Sequence, residues 1–468
     1  LKPQGQGDAE REAVLRRFSR GGIWRQRAGW LGRSLGFTVG VLARRGAKRL
    51  LDITGALLGL ALLAPILVGV GLGLLPTGRV LERTRRVGRW CEPFEEYAFA
   101  VPAGWRGRVI RGFGFRRLPV LVNVLRGDLS WVGPRAASPG ELSPREEHVR
   151  RRYDVRPGLI GPWWVRRRAN IDFESEAEVD REYVETQSLR GDVGIGLRAI
   201  PAALYGAGGP APDRVTLLGI TLHNLTMTEA LEAMQARLAG ERACQVCFVN
   251  ADCANIAYRR PEYLAVLRQA DLALADGIGL KLGGRLLRQP IKQNVNGTDL
   301  FPRLCAALEG TRQGFFLLGA RPGIAEAVGD WIRTHHPGTR VCGARHGYFS
   351  PAEESAVVAE INASGAGVLL VALGAPRQDE WIAAHLGQLR VKVAMGVGGL
   401  FDFYSGRIPR APLRMREAGL EWVYRFYQEP RRMWRRYLVG NVVFLWRVGR
   451  ERLTQAAPPP GAPGGTAA

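Results

Sequence analysis

Residues 270–280 read ADLALADGIGL. The apolar run Leu272–Leu274 has the length of a buried strand, and it stops at Asp276-Gly277, ahead of a helix beginning near Ile278. The same arrangement recurs on both sides. Val246–Val249, Phe315–Leu318, Val368–Leu373 and Val391–Met395 are further candidate strands, separated by helical stretches. From Val215 onward this alternation predicts an α/β sheet. Polar and glycine punctuation gathers in the loops after the strands: Asn250-Ala251-Asp252, Asp276-Gly277, Gly319-Ala320 and Gly374-Ala375-Pro376. Ligands bind at the carboxyl ends of strands in an open α/β sheet, so these loops form the candidate site. Gly319 to Gly323 (GARPG), between a strand and a helix, would cradle a diphosphate on backbone N–H groups.

The whole chain has 468 residues, enough for about two or three domains, and 46% of them are apolar. With 60 Gly and 28 Pro, this composition excludes a wholly disordered or collagen-like chain. There are 66 Lys+Arg against 43 Asp+Glu, a net charge of +23 carried almost entirely by arginine. Such an excess points to nucleic acid or an anionic membrane. Its distribution favours the membrane. Residues 1–210, up to the linker-like Pro201–Asp213, carry 35 basic and 21 acidic groups, net +14. Residues 211–406 carry 19 and 18, net +1, and residues 407–468 carry 12 and 4, net +8. A nearly neutral body lies between two basic pieces, which suits two membrane-facing surfaces better than a nucleic-acid groove.

Ile53 to Leu75 is 23 residues without a charge, roughly 35 Å as a helix at 1.5 Å per residue. Two readings stand. One is a single transmembrane span. The other is a re-entrant hairpin: Pro65 interrupts the helix at its centre, and basic residues flank both ends (Arg44, Arg45, Lys48 and Arg49; Arg79, Arg83, Arg85, Arg86 and Arg89). The positive-inside rule keeps both flanks on the cytoplasmic side and favours re-entry. Ahead of it, Arg16, Arg17, Arg20, Arg25, Arg27 and Arg33 interleave with Phe18, Trp24 and Trp30 as in an interfacial arm. Leu1 in first place leaves the true start of the chain open.

KRLLD (48–52), Arg86-Val87-Gly88, LPVLVNVLRGDLSWVGPR (118–135), RPGLIG (156–161) and the positions Asp180, Tyr183 and Val184 resemble the bacterial sugar transferase family of polyprenyl-phosphate phosphoglycosyl transferases. The resemblance implies a monotopic, re-entrant membrane helix. It also implies an Asp-Glu pair immediately before Leu-Pro, the Asp as nucleophile and the Glu as a magnesium ligand. Here Arg116-Arg117 precede Leu118-Pro119, and no Asp or Glu occurs between Glu96 and Asp128. A guanidinium is permanently cationic and cannot act as that nucleophile. The family's Lys-Phe-Arg phosphate-binding triplet stands as Ala98-Phe99-Ala100. The domain is therefore expected to be inert.

In the second half, VNADCANI, ADLALADGIGL, NGTDL, FLLGARPG, HGYF, VALGAPRQDEW, GVGGLFDF, RAP and GLEWVYRFYQEPRR resemble the WecG/TagA/CpsF glycosyltransferase family, in order and spacing, over about residues 215–445. The resemblance implies inverting, metal-independent transfer of a sugar from a UDP donor to a sugar-diphospho-polyprenol. The family's best-known activity moves N-acetylmannosamine onto GlcNAc-diphospho-undecaprenol. Asp276 falls on the general base, and the competing reading is an N-cap of the next helix. Asn250 and Gln378 match pocket positions, with an Asx-turn and a surface amide as alternatives. Arg425, Arg432 and Arg435 match arginines that fold over the site at the membrane and offset the charge of departing UDP; an amphipathic core helix is the alternative. Asn294 stands where an Arg is frequent, and Phe248 where a Thr is frequent.

Cys244-x-x-Cys247 lies in a predicted strand without a second pair at metal spacing, and the six His show no ligand spacing. No cofactor and no metal is expected.

The expected architecture is a basic interfacial arm (1–47), a sugar-transferase-like membrane domain (48–200) and a linker (201–214). A Rossmann-like glycosyltransferase core (215–406), a basic, aromatic membrane-docking helical appendage (407–452) and a disordered tail (453–468) follow. The expected partners are a UDP-sugar, a polyprenol-diphosphate-linked sugar and anionic lipids at the cytoplasmic face of a bacterial plasma membrane, without nucleic acid; self-association is open. The alternatives are a bifunctional enzyme whose first half also primes the lipid carrier, and an inert scaffold for polysaccharide assembly.

Overall fold

The computed structural model describes residues 20–112, 114–141, 151–169, 171, 175–205 and 211–456, with side chains from residue 43 onward and a few, that of Arg432 among them, left out. Residues 1–19 of the expected arm and 457–468 of the expected tail lie outside this description. The chain forms two compact units. One is built from residues up to 164 together with 173–197, the other from 165–172 together with everything from 198 onward.

The first unit opens with one long helix, Arg20–Leu74, of 55 residues. The expected arm and the apolar segment are thus one element, and the helix continues through Pro65 where a break was expected. Its stretch from Ala43 to Thr77 has a peak mean hydropathy of 2.4, and Leu57, Leu58, Leu62, Val68 and Leu72 stand exposed on it. The KRLLD residues tie this helix down. Arg49 donates to the carbonyls of Val124 (2.6 Å) and Leu125 (2.7 Å), and Lys48 pairs with Asp192 and donates to the Val132 carbonyl (2.9 Å). Asp52 accepts from the Ser130 hydroxyl and the Trp131 N–H, each at 3.0 Å. An antiparallel hairpin, β1 (Leu81–Val87) and β2 (Pro93–Phe99), and a short parallel pair, β3 (Ser130–Val132) and β4 (Gly158–Ile160), complete the frame. Asn123, fully buried, accepts from the Tyr97 N–H and donates to the Glu95 carbonyl. Asp180, equally buried, pairs with Arg152 at 2.8 Å.

The second unit is a mixed α/β body around one eight-stranded sheet. In chain order its strands are β5 (Arg214–Leu217), β6 (Ile220–His223), β7 (Cys244–Val249), β8 (Leu272–Ala275), β9 (Gly314–Gly319), β10 (Arg340–Arg345), β11 (Val368–Ala372) and β12 (Val393–Gly396). Their spatial order is β10-β9-β11-β12-β7-β8-β6-β5, parallel throughout except for the edge hairpin β5/β6. The five sequence-derived strands fall on β7, β8, β9, β11 and β12. The central strands are buried end to end because helices cover both faces. Along β7, Cys244, Val246 and Phe248 join one core layer while Cys247 and Val249 join the other. An odd spacing in a strand separates two side chains onto opposite faces, so Cys244 and Cys247 do not converge. Leu317, Leu318, Leu370 and Val371 are fully buried, each side chain contributing roughly 1.5–3 kcal/mol by its removal from water. The final helix, Gly440–Ala456, carries residues 453–456, which had been expected in the disordered tail.

Candidate active site

A cleft of roughly 1220 Å³ lies across the carboxyl ends of six parallel strands, β7 to β12, each of which supplies wall residues. This is where a doubly wound sheet binds its ligands.

Asp276 sits at the end of β8. Its N–H donates to the Val249 carbonyl at the end of β7 (2.7 Å), and the Val295 N–H donates to the Ala275 carbonyl (2.8 Å). The Gly277 N–H donates to the Asn294 side-chain carbonyl. The residue found in place of the frequent Arg therefore holds the Asp276 loop. Gly277 has φ 91°, which a residue with a Cβ adopts only under strain, and it is itself the N-cap of the helix Ile278–Leu286 without a side-chain cap bond. The capping alternative for Asp276 thus fails; its carboxyl faces the cleft. Burial is the main cause pushing this carboxyl up to about 6, with Arg436 opposing and the negative Glu421 adding to the rise.

Asn250 does two things at once. Its side-chain oxygen accepts from the N–H groups of Asp252 and Cys253, both at 3.0 Å, capping the helix Ala251–Ala257, and the Asn250 side chain also hydrogen-bonds Asp276. Gln378 is buried on the cleft wall, and its side-chain oxygen accepts from the Gly398 N–H at 2.9 Å, fixing the loop after β12. The surface-amide alternative does not hold.

The GARPG loop differs from expectation. Gly319 is a close-approach residue: a Cβ there would lie 2.6 Å from the Ala372 backbone. Gly323 caps the helix Ile324–His335. The loop instead presents Ala320 and Arg321 to the cleft. Neither glycine lines it, because both are consumed in packing and helix initiation.

The appendage brings arginines to the same cleft, though not the expected set. Arg425 lines the wall with its guanidinium 5.0 Å from the Phe403 ring centroid, and its Nε has no hydrogen-bond partner among the described residues. Arg432 has no described side chain. Arg435 is exposed, lies over the Trp434 ring at 5.2 Å and does not line the cleft. Its neighbour Arg436 does, pairing with Asp252 at 3.3 Å and acting on Asp276. Residues 425, 432 and 435 would approach one face of a continuous α-helix. The chain is instead broken at Glu429 (φ −130°, ψ 61°), and Arg435–Val439 form a π turn, so the register changes. Glu421 and Asp299 also line the cleft and share Arg410 between them. The NGTDL string carried Asp299 and GLEWVYRFYQEPRR carried Glu421; nothing in the sequence singled out Arg436.

Residues 215–458, more than half of the chain, match the model of the "Glycosyl transferase WecG/TagA/CpsF family". The chain belongs to this family. Residues 103–206 match the "Bacterial sugar transferase" family. Among curated proteins, three N-acetylglucosaminyldiphosphoundecaprenol N-acetyl-beta-D-mannosaminyltransferases of Staphylococcus aureus are similar. That of strain MRSA252 is 29% identical over 241 residues, and those of strains MW2 and NCTC 8325 are 28% identical over the same length. Each alignment covers 51% of this chain and 93% of the relative. The second unit is a glycosyltransferase.

Proposed function

We propose that the second unit transfers a hexose, N-acetylmannosamine-like or another, from a UDP donor to the sugar of a sugar-diphospho-polyprenol with inversion at the anomeric carbon. The observation that carries this reading is Asp276 at the strand ends, half-buried and facing a guanidinium. With its carboxyl near 6, Asp276 is ionised at neutral pH and more basic than a solvated carboxylate. It takes the acceptor hydroxyl proton as that oxygen attacks the anomeric carbon. The bond from that carbon to the β-phosphate oxygen breaks, and UDP leaves with the electron pair. Arg425 and Arg436 offset the charge that develops on the departing diphosphate.

The first unit, in this reading, holds the enzyme at the cytoplasmic face of the plasma membrane without chemistry of its own. Its exposed apolar helix and basic flanks support anchoring; the charge of the two flanks favours re-entry, while the helix's unbroken run through Pro65 favours a span. At the place of the missing carboxylate dyad, Arg116 pairs with Glu82 at 3.1 Å and Arg117 with Glu96 at 2.9 Å. The test is a panel of UDP-sugars against GlcNAc- and Glc-diphospho-lipids. One productive pair, with UDP as the nucleotide product, is expected; no transfer to any diphospho-lipid would overturn the reading.

A further inference from the structure

Gly399 stands where nothing in the backbone asks for a glycine. Its φ is −77° and its ψ 10°, values open to residues with a side chain, whereas Gly398 beside it has φ 53°. What excludes a side chain at 399 is a neighbour. A Cβ on Gly399 would strike one terminal nitrogen of Arg425 and lie 3.0 Å from the other. The guanidinium therefore rests on the bare Gly399 backbone, with the Phe403 ring centroid 5.0 Å from its carbon. Gly399, Phe403 and Arg425 all line the cleft.

The floor beneath that guanidinium is pinned. The Gly398 N–H donates to the Gln378 side-chain oxygen and the Val397 N–H to the Val371 carbonyl, each at 2.9 Å. Gly396 is closed in from the side, since a Cβ there would lie 2.7 Å from Gln378 Nε2 and against the Asp379 carboxyl. Asp379 is 2% exposed and accepts from the Tyr263 hydroxyl at 2.8 Å. A loop held at these points does not yield to an added methyl, whereas the tip of a long, flexible arginine swings away at little cost. We infer that Gly399 is a positioning residue for glycosyl transfer: its missing side chain is the seat that holds the Arg425 guanidinium where it meets the diphosphate of departing UDP. The inference rests on the glycosyltransferase reading above and deepens it by adding a residue that acts through another.

The test is a double-mutant cycle in the full chain: Gly399→Ala, Arg425→Ala and both together, read by the kcat of sugar transfer and by calorimetric binding of UDP. Arg425→Ala is expected to lower kcat about 10²-fold and to weaken UDP binding about tenfold. Gly399→Ala should reproduce most of both losses with the melting temperature held, because its methyl displaces only the end of a side chain. The double variant should be no worse than Arg425→Ala alone. The inference is overturned if Gly399→Ala keeps kcat within twofold of wild type, or if the two losses multiply in the double variant. It is overturned equally if Gly399→Ala melts early even with Arg425 removed, which would put the clash on the backbone. Arg425→Ala separates the two claims. An unchanged kcat in that variant would sink the leaving-group role of Arg425 and the seat with it, whereas a large loss there beside a fully active Gly399→Ala sinks only the seat.

Discussion

The two units set the same residue type, arginine, in two different surroundings. In the first, Arg116 and Arg117 occupy the place of a carboxylate pair and lie largely exposed, each bound to a glutamate of the β1/β2 hairpin. In the second, Arg436 lies in a cleft opposite the half-buried Asp276 carboxyl and beside Asp252. A guanidinium among exposed carboxylates is a surface ion pair of small energetic weight. The same group in a low-dielectric cleft alters the basicity of its neighbour and meets a leaving diphosphate. The comparison also shows what a family signature can preserve. Lys48, Asp52, Asn123, Ser130 and Asp180 are all retained in the first unit, and each holds the fold through named hydrogen bonds or ion pairs. Their contacts account for the shape of the unit, and a test of its chemistry has to be made separately.

The largest effect expected is from Asp276→Asn, which removes the base and should lower kcat by about 10²–10⁴-fold. If that variant kept most of its activity, the contrast between the units would collapse. Arg436→Ala should cost about 10²-fold in kcat, and Arg435→Ala far less. The pH profile sharpens this. The base must be ionised, so the rate should fall tenfold per unit as pH drops below about 6. Since Arg436 holds the Asp276 carboxyl down, its removal should move that acid limb to higher pH. Stability provides a second sign. The folded Asp276 carboxyl lies above its ordinary value of 3.8, so stability is lost as pH rises through the window from there to about 6. Asp276→Asn, which mimics the neutral form, should therefore raise the melting temperature at pH 8 and leave it unchanged at pH 3.

In the first unit, Asp180→Ala strands the buried Arg152 and should cost about 3–5 kcal/mol, read by denaturant unfolding of that unit. Arg116→Ala or Arg117→Ala should change stability by less than ~1 kcal/mol and leave sugar transfer within twofold of wild type. A large loss of transfer in either arginine variant would give the first unit a role in the reaction.

Much of the second unit was legible because its central strands are short apolar runs that end in glycine or a polar residue. Asp276, Asn250 and Gln378, which follow β8, β7 and β11, line the cleft. The edge elements were not legible. β5 and β6 are four-residue strands with polar residues at every other position, and β10 has arginine at both ends and no fully buried residue. In the appendage, the family resemblance pointed to Arg435, and beside a π turn it is Arg436 that lines the cleft. The long first helix exceeded its apolar segment because the charged residues before Ile53 continue the same helix.

The nucleotide released by the full-length protein tests the division of labour between the two units most directly. The sugar donor is supplied once with undecaprenyl phosphate and once with a sugar-diphospho-undecaprenol, and the products are separated. Glycosyl transfer by the second unit releases UDP; phosphosugar transfer by the first would release UMP. The account predicts UDP, formed only with the sugar-diphospho acceptor and lost in Asp276→Asn. UMP formed with undecaprenyl phosphate would contradict it.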